Sequence, residues 1–495
     1  MKNIYIADMS HEYYVDIARY LITLGAKIKV IGASRYPIYW PKTLDGFIAN
    51  TKPKITLWED FNYPDRFIKI LDPDYSILTP EVLEQLSYYE KMFLLSTDRL
   101  SFFPISQIDR CRLFYRFIGH LYKILINEKI DGVVFFGIPH GLFAIALFGL
   151  AKVLKLEVIY VDWAGVATDL AIIEKEIKPR RSYSKKQEEL GLISNECYKN
   201  EVHDIVSKNI FEHSNLSTSK RNNRIKVLLR NIGGLLLRAP FGRYISPEFF
   251  LNGERRLRIA CVLPLIKYYI NVSQALNYYD RNSTLELPNR NSLVLFLHMQ
   301  PEAVTMPQGG VFSDQLLVLD LILQALPDGM NVYVKEHPFM FHQFGQDRHE
   351  RSVEFYAHML RDPRVRFVNR SVNSNTLLKN AAIVASVNGT ISWEAMRIGR
   401  PCIIFGWAWF SACKSCFVVD SVSAIHTAIV AASRKSTEDV IADVHTFLNI
   451  FEKRLIYAAP WRYALDYVEK GFCYEDSVAR LARAIGISLD LPCSK

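Results

Sequence analysis

Three stretches decide the fold of this chain: VYVKEHP at 332–338, VRFV at 365–368 and IVASVNGTISWEAMRIGRPCIIFG at 383–406. They alternate strand, loop and helix, which is the pattern of a parallel, doubly wound sheet. Polar turns follow two of the strands, KEHP at 335–338 and SVNGT at 386–390. Ligands bind outside the carboxyl ends of strands in such sheets, so we expect both turns at one rim. The second turn opens a helix, whose free N–H groups and dipole attract phosphate. The sequence therefore predicts a site for a phosphate-bearing donor.

The composition is that of a globular protein, and its charge favours anionic partners. Half of the 495 residues are hydrophobic and 22% are charged, which excludes a disordered chain and predicts roughly two to three domains. The net charge of +9 favours anionic partners such as nucleotides, acidic glycans or anionic lipids. No aromatic-interleaved basic motif typical of nucleic-acid binding is found, so we expect no nucleic-acid partner.

Cysteine usage and the amino terminus indicate a cytoplasmic protein. Eight cysteines are scattered without a disulfide framework, and Cys413 and Cys416 form a CxxC pair without the further ligands of a zinc site. The first residues do not resemble a secretory signal. The uncharged stretch from Gly132 to Ala151 is long enough to span a membrane, but Pro139 would break a helix at its centre. We interpret it as strand, turn and buried helix.

The alternation of strands and helices divides the chain into four parts. We predict an amino-terminal Rossmann-like, acceptor-side domain at 1–174 and a carboxyl-terminal Rossmann-like donor domain at 289–440. Between them lies a helical, basic insertion at 175–288, and helices at 441–495 pack back on the body. Helical spacing predicts helices at 107–128, at 313–326 with Ser313 as N-cap, and at 421–432. A capping box of Ser436 and Asp439 predicts the start of one more helix. In the tail, Trp461, Tyr463 and Tyr467 are available to pack on the body.

Within the insertion, Lys220–Arg243 contains seven basic residues and no acid. Its leucines and isoleucines recur at helical spacing, so this segment could lie on an anionic membrane surface. A solvated helix of a linker gives the same pattern, and both interpretations stay open.

The candidate donor-binding residues follow the two strands named first. His337 precedes Pro338, which restricts its backbone, and its imidazole can donate to a phosphate oxygen. Lys335 would add positive charge, although a strand-end lysine is also commonly solvated. Ser386, Asn388, Gly389 and Thr390 form the predicted phosphate cradle, with ordinary helix capping as the alternative. Glu394, one turn into the helix, is a candidate for ribose.

The candidate acceptor-side residues also follow strands. Gln300 and Glu302 follow the strand that ends at His298, and a carboxylate there can act as a base. Asp8 and His140 follow strands of the first domain. No GxGxxG in a βαβ setting, Walker A loop or GxSxG is present, which disfavours dehydrogenases, P-loop NTPases and α/β-hydrolases. Without a DxD-like motif, we expect no metal and no cofactor.

Several stretches resemble bacterial capsule polysaccharide biosynthesis proteins. They are FLHMQPEAVTMPQGGVFSDQ at 296–315, the two stretches quoted first, DRLSFFPISQIDRCRLFY at 98–115 and VVFFGIPHG at 133–141. The HP pair followed by a Ser/Thr turn is also similar to bacterial sialyltransferases, Kdo transferases and glycerophosphotransferases, which use cytidine-nucleotide donors. The resemblance implies a GT-B-like fold, in which two Rossmann-like doubly wound domains face a cleft.

The resemblance also implies roles for named residues. His337 and the turn 386–390 would bind the donor phosphate, and Glu394 its ribose. The acidic pair followed by glycine of some sialyltransferases is not found here, so the base and the stereochemistry stay open, with Glu302 or Asp8 as candidates.

Together these features predict a glycosyltransferase of capsule or O-antigen biosynthesis, cytoplasmic or peripheral to the inner membrane. It would pass a sugar from a nucleotide donor, a CMP-sugar such as CMP-Kdo being favoured, to an oligosaccharide or lipid-linked glycan. A UDP-sugar, CDP-glycerol or phosphoribosyl donor is the alternative on the same fold. A non-catalytic assembly scaffold is the alternative of another class.

Overall fold

The computed structural model describes most of both predicted domains. The described residues are 1–33, 41–57, 71–98, 106–165, 167, 169–177, 262–289, 291–300, 305, 308–338, 340, 351–461, 464–465 and 472–492. The predictions for Lys220–Arg243, Glu302, Tyr463 and Tyr467 lie outside these residues.

The described residues form two sheets of seven strands each. In chain order, the strands are β1 Lys2–Ile6, β2 Ala26–Ala33, β3 Lys54–Leu57, β4 Gly132–Phe136, β5 Glu157–Trp163, β6 Leu170–Glu174, β7 Ser283–Thr284, β8 Ser292–Phe296, β9 Asn331–Lys335, β10 Val365–Val368, β11 Ile383–Ser386, β12 Cys402–Ile404, β13 Cys416–Val418 and β14 Ile456–Tyr457. The first sheet has the order β14-β6-β5-β4-β1-β2-β3, and the second has the order β13-β12-β11-β8-β9-β10-β7.

Helices cover the faces of both sheets. In chain order they are α1 Glu12–Thr23, α2 Leu44–Thr51, α3 Pro80–Asp98, α4 Gln107–Asn127, α5 Leu142–Val153, α6 Val262–Arg281, α7 Gln315–Ala325, α8 Val353–Met359, α9 Ser374–Asn380, α10 Thr390–Arg397, α11 Val422–Ser433, α12 Thr437–Phe451 and α13 Tyr474–Ser488. The predicted fold class, two Rossmann-like doubly wound domains in a GT-B-like arrangement, is confirmed.

Strand pairing places one topological switch point in each sheet. The second sheet is parallel throughout, and its chain runs from β8 outward to β9 and β10 before it returns to β11 on the other side of β8. The first sheet does the same between β1 and β4, and β6 runs opposite to the other strands, so that it pairs antiparallel with both β5 and the edge strand β14. The crevice outside such a point is where ligands bind in open α/β sheets.

The uncharged stretch after residue 131 folds as strand, turn and helix, as predicted. β4 is buried, and α5 is buried along its length from Leu142 to Ala151 because α3, α4 and the sheet surround it. Among the residues that the structure describes, no helix is long and apolar enough to cross a membrane.

The carboxyl-terminal tail returns to the first domain. β14 pairs with β6, and α13 packs against α1, where the Tyr13 hydroxyl contacts both Ser477 Oγ (2.6 Å) and the Ala459 carbonyl oxygen (3.0 Å). Trp461 is partly buried against the same core. The second domain begins before the predicted residue 289, because α6 packs in its core and β7 pairs with β10.

Loops at the carboxyl ends of the two sheets contact each other. Gly165, after β5, has φ +74°, and a Cβ there would lie 2.0 Å from Nε1 of Trp409, which follows β12. Ile138, after β4, packs against the cores of both domains. The two rims that carry the switch points therefore lie against each other.

Candidate functional site

The switch point of the second domain brings together the ends of β8 and β11. His298 follows β8 and is only 7% exposed. The backbone N–H of Asn388 donates to its Nε2 at 3.3 Å, and a Cβ on Gly389 would lie 3.2 Å from its Cε1. Glycine at 389 therefore lets the turn after β11 approach the imidazole closely.

The predicted phosphate cradle is a tight turn built around Ser386. The Gly389 N–H donates to Ser386 Oγ at 3.0 Å, and this hydroxyl also contacts Ser392 Oγ at 2.9 Å. Both serines are completely buried, so Ser386 shapes the turn from within. Gly389 is the N-cap of α10 and supplies no side-chain cap, while Thr390 is exposed at its first position. The helix amino terminus is therefore presented at the crevice, as an anion site requires.

His337 lies at the same rim, two strands from the turn. It follows β9 directly and is half-buried. Its N–H donates to Glu336 Oε1 at 2.7 Å, and its carbonyl accepts from the Met340 N–H at 3.0 Å. The backbone that carries the imidazole is thus held on both sides.

A buried ion pair supports both histidines. Arg351 Nε donates to Glu336 Oε2 at 2.7 Å, and its Nη2 donates to the His298 carbonyl at 2.9 Å. Tyr356 Oη donates to the same carboxylate at 2.6 Å. The side chains of Arg351 and Glu336 are 2% and 0% exposed. This network links the ends of β8 and β9 and fixes the spacing between His298 and His337.

Lys335 does not have the role that the sequence suggests. Its Nζ donates to the carbonyl oxygens of Asn369 (2.9 Å), Arg370 (3.2 Å) and Val372 (2.8 Å), and the residue is 3% exposed. Burial, together with the nearby Arg370 charge, lowers the pKa of Lys335 to about 8. All three donors of the ammonium group are used within the protein, so we do not assign phosphate binding to Lys335.

Gln300 is also occupied inside the protein. It is completely buried, and its Nε2 donates to Thr305 Oγ1 at 2.9 Å and to the Ser313 carbonyl at 3.5 Å. This corrects the prediction that Gln300 contacts the acceptor substrate, because its carboxamide is hydrogen-bonded within its own loop. Ser313 lies in a 3-10 turn, and the N-cap of α7 is Asp314, whose Oδ1 accepts from the Leu316 N–H at 3.0 Å.

Glu394 lies beside α9. It lines a small cavity with Asn375, Lys379 and Arg397. Burial lowers the pKa of Arg397, and the charge of Glu394 partly offsets this. The structure thus gives Glu394 a basic neighbourhood, and a contact with ribose stays a prediction.

The first domain offers Asp8 and His140 at its own switch point. Asp8 follows β1, and its Oδ1 accepts from the Ser10 N–H at 2.8 Å. His140 follows β4, and its Nδ1 contacts the Ile138 carbonyl at 2.7 Å, which requires a proton on Nδ1. Both are half-buried. Because β1 and β4 are neighbours, both residues lie at the rim that contacts the second domain.

Two site residues were not singled out by the sequence. The sequence marked His298 only as the end of a strand. A histidine at a strand end, followed by a glycine-rich loop, is the signal that could have identified it as a site residue. Gln308 lies in that loop and carried no signal of its own. Among the described residues, no group of three or more His, Cys, Asp or Glu side chains is placed to hold a metal ion.

A comparison with known protein families finds a match in the second domain. Residues 274–413 match the family model described as capsule polysaccharide biosynthesis protein. The resemblance is therefore confirmed over this part of the chain. The matched residues run from α6 to the loop after β12 and include His298, His337 and the turn 386–390. No curated protein matches the chain.

Solved structures give only distant likenesses. The Staphylococcus aureus MnaA–UDP structure is 10% identical, covers 100% of this chain and 99% of its own, and has a TM-score of 0.23. The Methanocaldococcus jannaschii UDP-GlcNAc 2-epimerase with UDP-GlcNAc and UDP is 11% identical, with coverages of 98% and 99% and a TM-score of 0.25. The Thermosulfurimonas dismutans KpsC β-Kdo 2,4 transferase is 12% identical, with coverages of 66% and 80% and a TM-score of 0.28. At such TM-scores, none of these likenesses supports a conclusion about this chain.

Proposed function

We propose that this protein is a glycosyltransferase of bacterial capsule or O-antigen biosynthesis, which transfers a sugar from a nucleotide donor to a glycan hydroxyl. The observation that carries the proposal is the family match, because residues 274–413 contain both loops of the second switch point. A CMP-sugar is the favoured donor, since the HP pair followed by a Ser/Thr turn is similar to enzymes that use cytidine nucleotides. The acceptor is an oligosaccharide or lipid-linked glycan, met at the inner membrane surface.

The proposed chemistry divides between the two rims. The donor phosphate binds at the amino terminus of α10 and beside His337, where backbone N–H groups and an imidazole can neutralise developing charge. The acceptor hydroxyl attacks the anomeric carbon, its new C–O bond forms, and the bond from that carbon to the phosphate oxygen breaks. For a CMP-sugar, CMP leaves with the bonding electrons. Asp8 or Glu302 takes the proton of the hydroxyl.

Calorimetric titration of the purified protein with CMP, CDP, UDP and GDP tests the proposal. We expect selective cytidine-nucleotide binding, and we expect His337→Ala to weaken it by at least about tenfold, the value of one hydrogen bond to a charged group. His358→Ala is the matched control, because His358 lies on α8 and contacts Asp320 at the surface.

Each outcome selects one interpretation. A preference for UDP would support transfer from a nucleotide-sugar but would show that the donor is a UDP-sugar and not a CMP-sugar. Full affinity in His337→Ala would contradict the assignment of the phosphate site. If no nucleotide binds to the wild type, transfer from a nucleotide donor is refuted.

A further inference from the structure

Gln308 has a buried hydrogen-bond donor for which the described residues supply no acceptor. The residue is 3% exposed, and its Nε2 has no acceptor among the residues that the structure describes. Burying an amide donor without an acceptor opposes folding, and native proteins rarely keep one. Such a donor calls for an acceptor, which an ordered water or a bound ligand can supply.

The loop that carries Gln308 covers the second switch point. The Trp407 N–H donates to the Gln308 carbonyl at 3.0 Å, and a Cβ on Gly406 would lie 2.8 Å from that oxygen. A Cβ on Gly309 would lie 2.8 Å from Val387 Cγ1, in the turn after β11. Gln308 is therefore packed directly over the ends of β11 and β12, next to the predicted phosphate cradle.

The same loop reaches the first domain. Gly310 has φ +56°, and a Cβ there would lie 4.0 Å from Oη of Tyr88 on α3. The loop that carries Gln308 therefore lies where the second domain approaches the first. Since Gln308 is 3% exposed, its amide has little access to bulk water, and a bound ligand can supply the acceptor.

We propose that Gln308 is a donor-substrate-binding residue, whose Nε2 donates a hydrogen bond to an oxygen of the nucleotide bound at the second switch point. This inference rests on the proposed function. The carboxamide N–H selects an acceptor oxygen, which the phosphate and the nucleoside both offer. Without a ligand, the unpaired amide of Gln308 lowers the stability of the folded protein. A bound nucleotide would supply the acceptor and remove this cost.

The test is Gln308→Leu, which keeps the volume and removes the amide. We expect the affinity for CMP, with UDP as the second probe, to fall by at least about tenfold. We also expect the Tm of the free protein to equal or exceed that of the wild type, because an unsatisfied polar group has been removed. Gln300→Leu is the matched control for stability. Its Nε2 is bonded to Thr305 and Ser313, so its Tm should fall.

Titration with cytidine and uridine shows whether the oxygen that accepts from Gln308 belongs to the phosphate or to the nucleoside. A loss in Gln308→Leu that is seen with the nucleotides but not with the nucleosides assigns the contact to phosphate, and an equal loss assigns it to the nucleoside. Unchanged nucleotide affinity overturns the inference and leaves the proposed function intact. A lowered Tm overturns it too, since Gln308 would then be structural. If the wild type binds neither CMP nor UDP, the proposed function fails and the inference fails with it.

Discussion

Replacing Arg351 by methionine would leave the carboxylate of Glu336 buried without its cation. In the native protein Arg351 Nε and Nη2 lie 2.7 and 3.4 Å from the two carboxylate oxygens. After the replacement, the Tyr356 hydroxyl and the His337 N–H are the donors to that carboxylate that remain among the described residues. Breaking one side of a buried ion pair costs about 3–5 kcal/mol, and we expect the free energy of unfolding of the second domain to fall by that amount.

A double-mutant cycle separates this effect from lost packing. Glu336→Gln keeps the shape of the side chain but leaves the guanidinium of Arg351 unpaired, so it should also destabilise strongly. The double variant Arg351→Met with Glu336→Gln removes both buried charges. We therefore expect it to be at least about 2 kcal/mol more stable than the sum of the two single effects predicts.

Urea denaturation followed by tryptophan fluorescence measures these changes, since Trp393, Trp407 and Trp409 lie in the second domain. Arg370→Met is the matched control. Its guanidinium pairs with Asp280 at 2.8 Å, but the two side chains are 27% and 37% exposed, so the loss should stay within about 1 kcal/mol. The reasoning is refuted if Arg351→Met destabilises no more than this control, or if the double variant shows simple additivity.

Two further predictions concern the first domain. Burial raises the pKa of Asp162 to about 8, so the folded carboxyl is protonated at neutral pH while the unfolded one, with a pKa of about 3.9, is not. Wild-type stability should fall as pH rises from about 4 through 8, by up to about 1.4 kcal/mol per unit, whereas Asp162→Asn should lack this loss. Thermal unfolding across this range checks it, and a pH-independent difference in Tm would contradict it. Gly165→Ala should destabilise by more than about 1 kcal/mol in urea unfolding, because φ is +74° and its Cβ would overlap Trp409. Gly46→Ala, which meets no atom within 4 Å, should be neutral or stabilising, and equal effects of the two would refute the packing argument.

Local sequence was sufficient for the elements because helix and strand periodicities are properties of neighbouring residues. The helix predicted at 107–128 is α4, Gln107–Asn127, and the predicted capping box of Ser436 and Asp439 is formed. The sequence also located both turns that follow β9 and β11. Since carboxyl ends of parallel strands share one rim, their common placement followed from the βαβ pattern alone.

Only the tertiary structure decided how each polar side chain at the rim is used. Lys335 looks like a phosphate ligand in sequence, yet the carbonyls of residues 369–372, more than 30 positions away, take its donors. Gln300 and Gln308 are the same residue type in one loop region, but among the described residues the donor of Gln300 has acceptors and that of Gln308 has none. A residue's chemistry is local, whereas its hydrogen-bond partners come from segments that meet only when the chain is folded. For this reason the sequence located the rim, and the fold selected the residues that can serve a ligand there.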